Sequence, residues 1–233
     1  MITVIILIII GLCILAGYYR GIIYSAVSLG LTLFSFFLAL LMIPVIATPV
    51  RESKELYGSL LSYFEGYEYI GQTSVEMIHD PAASVEPDML KTVVDNANMP
   101  LPLGRAVTRN IRSLAYEKRG ITTLGDYFNQ TIVDVMVNLI SLLFLFVCFR
   151  VFFGFVLRMI DYGRTGLPAL KRFDPLFSCG IGFLHGVILL YIFFLIAPIL
   201  LTIVPKLGRI LVSSPLGGFF YRMNPFIWMI PIT

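Results

Sequence analysis

Charged residues are scarce in this sequence, and their scarcity excludes an ordinary soluble domain. Asp, Glu, Lys and Arg make up 13% of the 233 residues, about half of the roughly 25% that soluble domains carry. Cysteine is scarce too, and each cysteine lies in or beside an apolar run, which excludes a disulfide framework and a metal cluster. The cysteines are Cys13, Cys148 and Cys179. Because basic and aromatic residues do not interleave, the sequence predicts no nucleic-acid-binding surface.

Motifs for enzyme chemistry are also missing from the sequence. It contains no nucleotide-binding or metal-binding motif and no nucleophile–base arrangement. We therefore predict no catalytic residue, no cofactor and no metal site. A membrane-bound enzyme is the least favoured function.

Long apolar runs are what the sequence has instead. Hydrophobic residues make up 58% of the chain, and the mean hydropathy is +0.89. Four runs approach or exceed the roughly 20 residues that cross a bilayer, which predicts an all-α membrane protein with four transmembrane helices. The runs are residues 2–19, 22–50, 131–159 and 178–204. The first run also resembles a signal peptide, but no basic residue precedes it and Tyr18-Tyr19-Arg20 is a poor cleavage site, so we expect a retained helix.

These runs divide the chain into four parts. Residues 1–50 form a transmembrane hairpin, because Arg20-Gly21 is the whole connection between the first two runs. Residues 51–128 form a polar, helical, extracytoplasmic loop domain between helices 2 and 3. Residues 129–204 form a second transmembrane pair with a glycine- and arginine-rich hinge at 161–174. Residues 205–233 form an interfacial apolar tail.

Local signals refine this division. Pro44 and Pro49 predict a kink and the end of the second helix. Pro87 suits the first turn of a loop helix, and Thr123 with Asp126 predicts a capped start for the helix that follows the loop. A second loop helix has one basic face. This face contacts lipid phosphates or a partner, or it is a solvated face, which is the more common case for a run of charges. The face carries Arg105, Arg109 and Arg112. We expect the loop domain to have little core of its own.

Small residues recur at helical spacing in two of the predicted spans. Water does not drive helices together in lipid, so they associate by close backbone approach at small residues. Glycine is common in membrane helices, and serine and threonine are tolerated there by bonding back to a carbonyl. Because the small residues stay in register on one face, we favour two packing seams. The seams comprise Gly21, Ser25, Ser28, Thr32, Ser35 and Ala39 in the second run, and Ser178, Gly182 and Gly186 in the fourth.

Polar residues inside the third and fourth runs form a candidate intramembrane site of Asp134, Asn138, Arg150 and His185. His185 lies roughly 12 Å into its helix at 1.5 Å per residue. In an antiparallel pair it is level with Arg150 and far from Asp134, so we expect no direct His–Asp proton pair. A neutral His185 bonded to a backbone carbonyl of a neighbouring helix is favoured, and a polar Arg150–His185 pocket is the alternative.

The distribution of basic residues predicts the orientation of the chain. Cytoplasmic loops are enriched in Lys and Arg, counted over short loops. Six basic residues lie on the side of the 20–21 turn and the hinge: Arg20, Arg150, Arg158, Arg164, Lys171 and Arg172. Three lie in the tail and argue the other way: Lys206, Arg209 and Arg222. We predict that the turn and the hinge face the cytoplasm and that the 51–128 loop and both termini lie outside.

Three motifs carry a resemblance to a known family. Arg20-Gly21 directly joins two apolar helices, a glycine-rich hinge occupies residues 163–167, and Asp174, Gly182 and Gly186 occur in a glycine-spaced pattern entering the last span. The sequence thereby resembles the colicin V production protein (CvpA) family, small four-span proteins of the bacterial cytoplasmic membrane. Three positions depart from that pattern, because the chain has Pro175, Ser178 and His185 where the family has arginine, glycine and arginine.

The resemblance implies a protein needed for production or export of a peptide toxin and linked to envelope homeostasis. We therefore expect a non-enzymatic scaffold or accessory factor in the lipid bilayer that assembles with itself or with export or envelope proteins. The alternative is a small-solute or proton-coupled transporter, supported by the candidate intramembrane site. Four spans are few for a transporter, so this alternative requires a homo-oligomer.

Overall fold

The computed structural model describes residues 2–63, 78–97, 99–159 and 174–232, and these residues are mostly helical. The α-helices are α1 (Ile2–Glu52), α2 (Lys54–Tyr63), α3 (Pro87–Asn96), α4 (Leu103–Arg112), α5 (Leu124–Met159), α6 (Asp174–Phe193), α7 (Ile196–Ile203), α8 (Pro205–Ser213) and α9 (Pro215–Arg222). Short 3₁₀ turns cover Ala82–Ser84, Glu117–Arg119 and Pro225–Met229. The described part of the chain contains no strand, only an isolated bridge between Pro81 and Thr123.

Three of these helical segments are long and apolar enough to cross a membrane. They are Ile2–Glu52, Leu124–Met159 and Asp174–Ile203, and the mean hydropathy of their most apolar 18-residue windows is 2.6, 2.6 and 2.7. The last segment joins α6 and α7 across a turn at Phe194 and Leu195. Their length and apolar composition are those of a multi-pass membrane protein.

Helix α1 is interrupted at Gly21, which has φ 78° and ψ 169°. The residues on either side of the interruption approach each other, since the Ser25 hydroxyl lies 3.5 Å from the Gly17 carbonyl oxygen. These two residues are four positions after and four positions before Gly21, so the chain reverses there. Residues 2–20 and 22–52 are therefore two helical halves.

The described residues divide into two compact units. The first comprises Met1–Ile43, Leu142–Ala197 and Arg209–Phe226. Aromatic rings fill part of its interior: the centroids of Phe36 and Phe226 are 4.4 Å apart, and Phe194 stacks on Phe220 at 5.7 Å. Aromatic pairs at such distances stabilise a core beyond the area that they bury.

The second unit comprises Pro44–Ser141, Pro198–Gly208 and Ile227–Thr233. The hydroxyl of Thr123 donates to the Asp126 carboxylate at 2.6 Å and accepts the Asp126 N–H at 3.2 Å, which confirms the predicted cap of α5. The unit also has a hydrophobic core, contrary to the expectation that the loop domain has little. Its buried members are Ala82, Leu90, Val93, Val107, Ile111, Tyr116, Leu124, Tyr127 and Phe128.

Three further predictions concern the prolines of α1, the tail and the hinge. Pro44 and Pro49 both lie inside α1, so the prediction that they end the helix is wrong. Proline has no backbone N–H to donate, but the Pro49 carbonyl still accepts the Ser53 N–H at 3.1 Å. Helical hydrogen bonding therefore continues beyond Pro49. In the tail, Phe219 and Trp228 are about half exposed, whereas Phe220 is buried. Most of the hinge, including 163–167, falls outside the described residues.

Candidate functional site

The small residues of α6 lie against the first half of α1 within the first unit. Ser178, Gly182 and Gly186 are buried. A Cβ atom at Gly182 would lie 2.5 Å from the Cys13 carbonyl oxygen, and one at Gly186 would lie 3.1 Å from the Cys13 Cβ. The two backbones therefore approach as closely as glycine permits, which is how membrane helices associate.

Gly17 completes this contact, and the sequence analysis did not identify it. A side chain at Gly17 would collide with the carbonyl of Ser178 and lie 3.2 Å from the Gly182 Cα. The signal was present in the sequence, because Cys13, Gly17 and Gly21 follow each other at intervals of four. Read as one face of a helix, that spacing predicts a seam on the first half of α1 as well.

Asp174 joins the start of α6 to the reversal at Gly21. Its Oδ1 accepts the Ile22 N–H at 3.1 Å, so a carboxylate caps the first turn of the second half of α1. Negative charge at a helix N-terminus is stabilising, because the first N–H groups there are unpaired and carry partial positive charge. At Gly21 the positive φ excludes most side chains, and a Cβ would lie 3.4 Å from the Asp174 Oδ2.

The other seam, on the second half of α1, is buried along most of its length. Gly21 is partly buried. Three hydroxyls bond back to the chain: Ser25 to the Gly17 carbonyl, Thr32 to the Ser28 carbonyl at 2.9 Å, and Ser35 to the Leu31 carbonyl at 2.6 Å. The buried members are Ser25, Ser28, Thr32, Ser35 and Ala39.

His185 bonds to a side chain of this seam. Its Nε2 lies 2.9 Å from the Thr32 Oγ1. Because the single Thr32 hydroxyl proton is already directed to the Ser28 carbonyl, His185 donates from Nε2 and is held in one tautomer. The sequence analysis favoured a backbone carbonyl as the partner, and the structure gives a threonine hydroxyl instead.

Arg150 and His185 line one pocket of the first unit, together with Arg20, Tyr24 and Ser28. We call this the basic pocket; its volume is about 270 Å³. The Arg150 guanidinium donates to the Ser28 hydroxyl at 3.2 Å, and the Arg20 guanidinium carbon lies 5.1 Å above the Tyr24 ring. The two cations are therefore oriented by neutral partners.

Asp134 and Asn138 belong to the second unit, so the four candidate polar residues fall into two groups. Arg51 donates from Nε to the Asp134 Oδ1 and from a terminal nitrogen to the Asn138 Oδ1, both at 2.9 Å. The Tyr57 hydroxyl also donates to the Asp134 Oδ1 at 2.9 Å. Asp134 is 1% exposed, and this network supplies the partners that a buried carboxylate needs.

Arg51 and Tyr57 are members of this network that the sequence analysis missed. Burial and the nearby Asp134 charge raise the pKa of Tyr57, so its hydroxyl remains a hydrogen-bond donor at an alkaline pH at which an exposed tyrosine loses its proton. Gln130 donates to the Tyr57 hydroxyl, and Asn138 donates to the Pro231 carbonyl at 2.9 Å. These contacts join α5 to α1, to α2 and to the segment that follows the last 3₁₀ turn.

The structure offers no group of three or more His, Cys, Asp or Glu side chains arranged to hold a metal ion within its described ranges. The chain matches no family model, no curated protein and no solved structure.

Proposed function

We propose that the chain is a four-span integral membrane protein of the CvpA family. In this proposal it acts as a non-enzymatic scaffold or accessory factor in the production or export of a colicin V-like peptide toxin and in envelope homeostasis. It resides in the bacterial cytoplasmic membrane with the 51–128 loop outside. It assembles with itself or with export or envelope proteins.

One observation carries the proposal: the residues behind the resemblance meet in one place. Asp174 caps the helix that follows Arg20-Gly21, and Gly182 and Gly186 pack on Cys13 of the preceding half-helix. These residues hold a hairpin closely against α6. A contact made of closely packed small residues favours a scaffold over a catalyst.

Helix length supports four spans. Helix α1 has 51 residues, or roughly 76 Å at 1.5 Å per residue, more than twice the roughly 30 Å of the hydrocarbon core. Its interruption at Gly21 divides it into halves of 19 and 31 residues, each long enough for one crossing. With α5 and the α6–α7 segment, these halves make four crossings.

Complementation of a toxin-producing strain that lacks the chain tests the proposal. We expect the intact chain to restore toxin export, and affinity purification after cross-linking in native membranes to recover it bound to itself or to export components. Gly182→Leu should lose both effects, because a leucine side chain at that position cannot fit against Cys13. Gly180→Leu is the matched control, since a Cβ there meets nothing within 4 Å. Export that is equal with and without the chain would contradict the proposal.

Transport remains the second candidate because the basic pocket places Arg150 and His185 at one cavity. Exchange assays in liposomes separate the two functions. The scaffold predicts no solute or proton flux above that of empty liposomes. Flux that is abolished by His185→Leu would favour the transporter.

A further inference from the structure

An apolar groove adjoins the basic pocket in the first unit. The groove has a volume of about 400 Å³, and its lining includes Ile9, Val147 and Phe193. Leu189 lines both cavities, so the groove and the basic pocket adjoin at this residue. The two cavities place an apolar site beside a charged one.

The charged end matches an anion. Arg20, Arg150 and His185 line the basic pocket, and none of the described residues that line it carries a carboxylate. A guanidinium matches a phosphate group in both charge and geometry, and it binds phosphate through paired N–H donors. Basic pockets between transmembrane helices are a recurrent site for phosphate-bearing lipid headgroups.

The apolar end matches one lipid chain. Arg20 at the pocket and Ile9 at the groove are eleven residues apart on one half-helix, or roughly 16 Å at 1.5 Å per residue. That distance is about half of the roughly 30 Å hydrocarbon core, which is the depth of one leaflet. A free phosphate ion would fill the basic pocket alone and leave the groove unused.

We propose that the first unit binds one anionic phospholipid, with the phosphate against Arg20 and Arg150 and one acyl chain in the groove. This goes beyond the scaffold function and does not depend on it. The two arginines recognise the charge of the headgroup, and the groove recognises the acyl chain. A bilayer lipid thereby becomes a fixed ligand of the helices that surround it.

Native mass spectrometry of the full chain, released from detergent with defined lipids, tests the proposal. The probes are phosphatidylglycerol, phosphatidylcholine and inorganic phosphate. We expect one phosphatidylglycerol per chain, bound at least about fivefold more tightly than phosphatidylcholine, since one cation near a membrane surface contributes about that factor. Inorganic phosphate should not displace it. Equal binding of the two lipids, or displacement by phosphate, would overturn the assignment.

Charge variants locate the headgroup. Arg20→Gln and Arg150→Gln should each weaken phosphatidylglycerol binding about fivefold and weaken phosphatidylcholine binding less, because the choline cation already offsets the charge of the phosphate. Arg158→Gln removes the same charge from α5 outside the cavity lining and should have no effect. An equal loss in all three variants would mean diffuse attraction and would overturn the site. Arg20 is exposed, so its variant remains informative if Arg150→Gln fails to fold.

Variants of residues at the groove locate the acyl chain of the lipid. Val147 lines the groove and is 56% exposed, whereas Val151, one turn further along α5, is 68% exposed and does not line it. Val147→Trp should weaken lipid binding and Val151→Trp should not; the reverse would exclude the groove. Because lipid retention is measured without any toxin, this proposal and the scaffold function can fail separately.

Discussion

At the scale of single residues, Gly21 has a backbone conformation that other residues avoid. Its φ of 78° with ψ of 169° is accessible in practice only to glycine. We expect Gly21→Ala to destabilise the protein by about 1–3 kcal/mol, the range for a strained backbone residue. Thermal unfolding in detergent, followed by size-exclusion chromatography, measures the change.

Gly30→Ala is the matched control for that substitution. Gly30 lies in the same helix with nothing within 4 Å of an added Cβ, so alanine should stabilise the helix by about 0.5–1 kcal/mol. Equal effects at both positions would show that the reversal at Gly21 imposes no special conformation.

The Arg51–Asp134 pair gives a second prediction at this scale. Removing one partner leaves the other charge buried, so Asp134→Leu or Arg51→Met alone should destabilise by about 2–3 kcal/mol. This is below the roughly 3–5 kcal/mol of a fully buried pair, because the Arg51 side chain is 20% exposed. The double variant should be less destabilised than the sum of the two. Strictly additive losses in a double-mutant cycle would contradict this.

Tyr57 makes stability depend on alkaline pH. Its raised pKa, caused first by burial and then by Asp134, means that the folded protein keeps the phenol proton after the unfolded chain has lost it. The contribution of Tyr57 to the free energy of unfolding is therefore complete below the ordinary tyrosine pKa of about 10, and it is lost as the pH rises above that value. Subtracting the pH profile of Tyr57→Phe should reveal a difference of about 1.4 kcal/mol per pH unit. Parallel profiles would refute the assignment.

The polar networks also show where sequence reasoning ends at this scale. The polar stripe that contains Asp134 was predictable from its i, i+4 spacing and its position inside an apolar run. The partners of Asp134 were not predictable, because Arg51 is 83 residues away and the sequence does not distinguish it from several other basic residues. The His185 partner was missed for the same reason, since Thr32 is 153 residues distant.

At the scale of helices, the contact between the first half of α1 and α6 depends on glycine. We expect Gly182→Leu to destabilise by about 3 kcal/mol or more, because overpacking here involves backbone that cannot move aside. Unfolding in detergent measures this, and the profile should broaden or shift to aggregate. Gly180→Leu, which meets open space on the same helix, should behave like the parent. Indistinguishable variants would remove the seam from the explanation of the fold.

The long helices were predictable because an apolar run near 20 residues has few other structures available in lipid. The core of the second unit was not. The sequence analysis assigned residues near 128 to the boundary of a span, whereas Tyr127 and Phe128 at the start of α5 pack with Leu90 of α3 and Val107 of α4. Spacing identifies which face of a helix is apolar, but not which other element covers it.

At the scale of the whole molecule, the balance of basic residues predicts the orientation. Positive charge is retained on the cytoplasmic side, which would place Tyr19 and the turn at Gly21 inside and the 51–128 loop outside. Ser84 is exposed in the loop domain, and Tyr19 lies at the end of its apolar run, next to the Arg20-Gly21 turn, so single cysteines at these positions report on the two sides of the membrane. The native Cys13, Cys148 and Cys179 must first be replaced by alanine.

In intact cells, a membrane-impermeant maleimide should label Ser84→Cys within minutes and leave Tyr19→Cys unlabelled until the membrane is permeabilised. The three basic residues of the tail oppose this orientation, so the labelling outcome decides which set of charges dominates. If Ser84→Cys reacted only after permeabilisation, the loop would be cytoplasmic and the basic pocket would face the outer leaflet. The phospholipid would then have to be supplied from that leaflet, although its contacts with Arg20 and Arg150 would be unchanged.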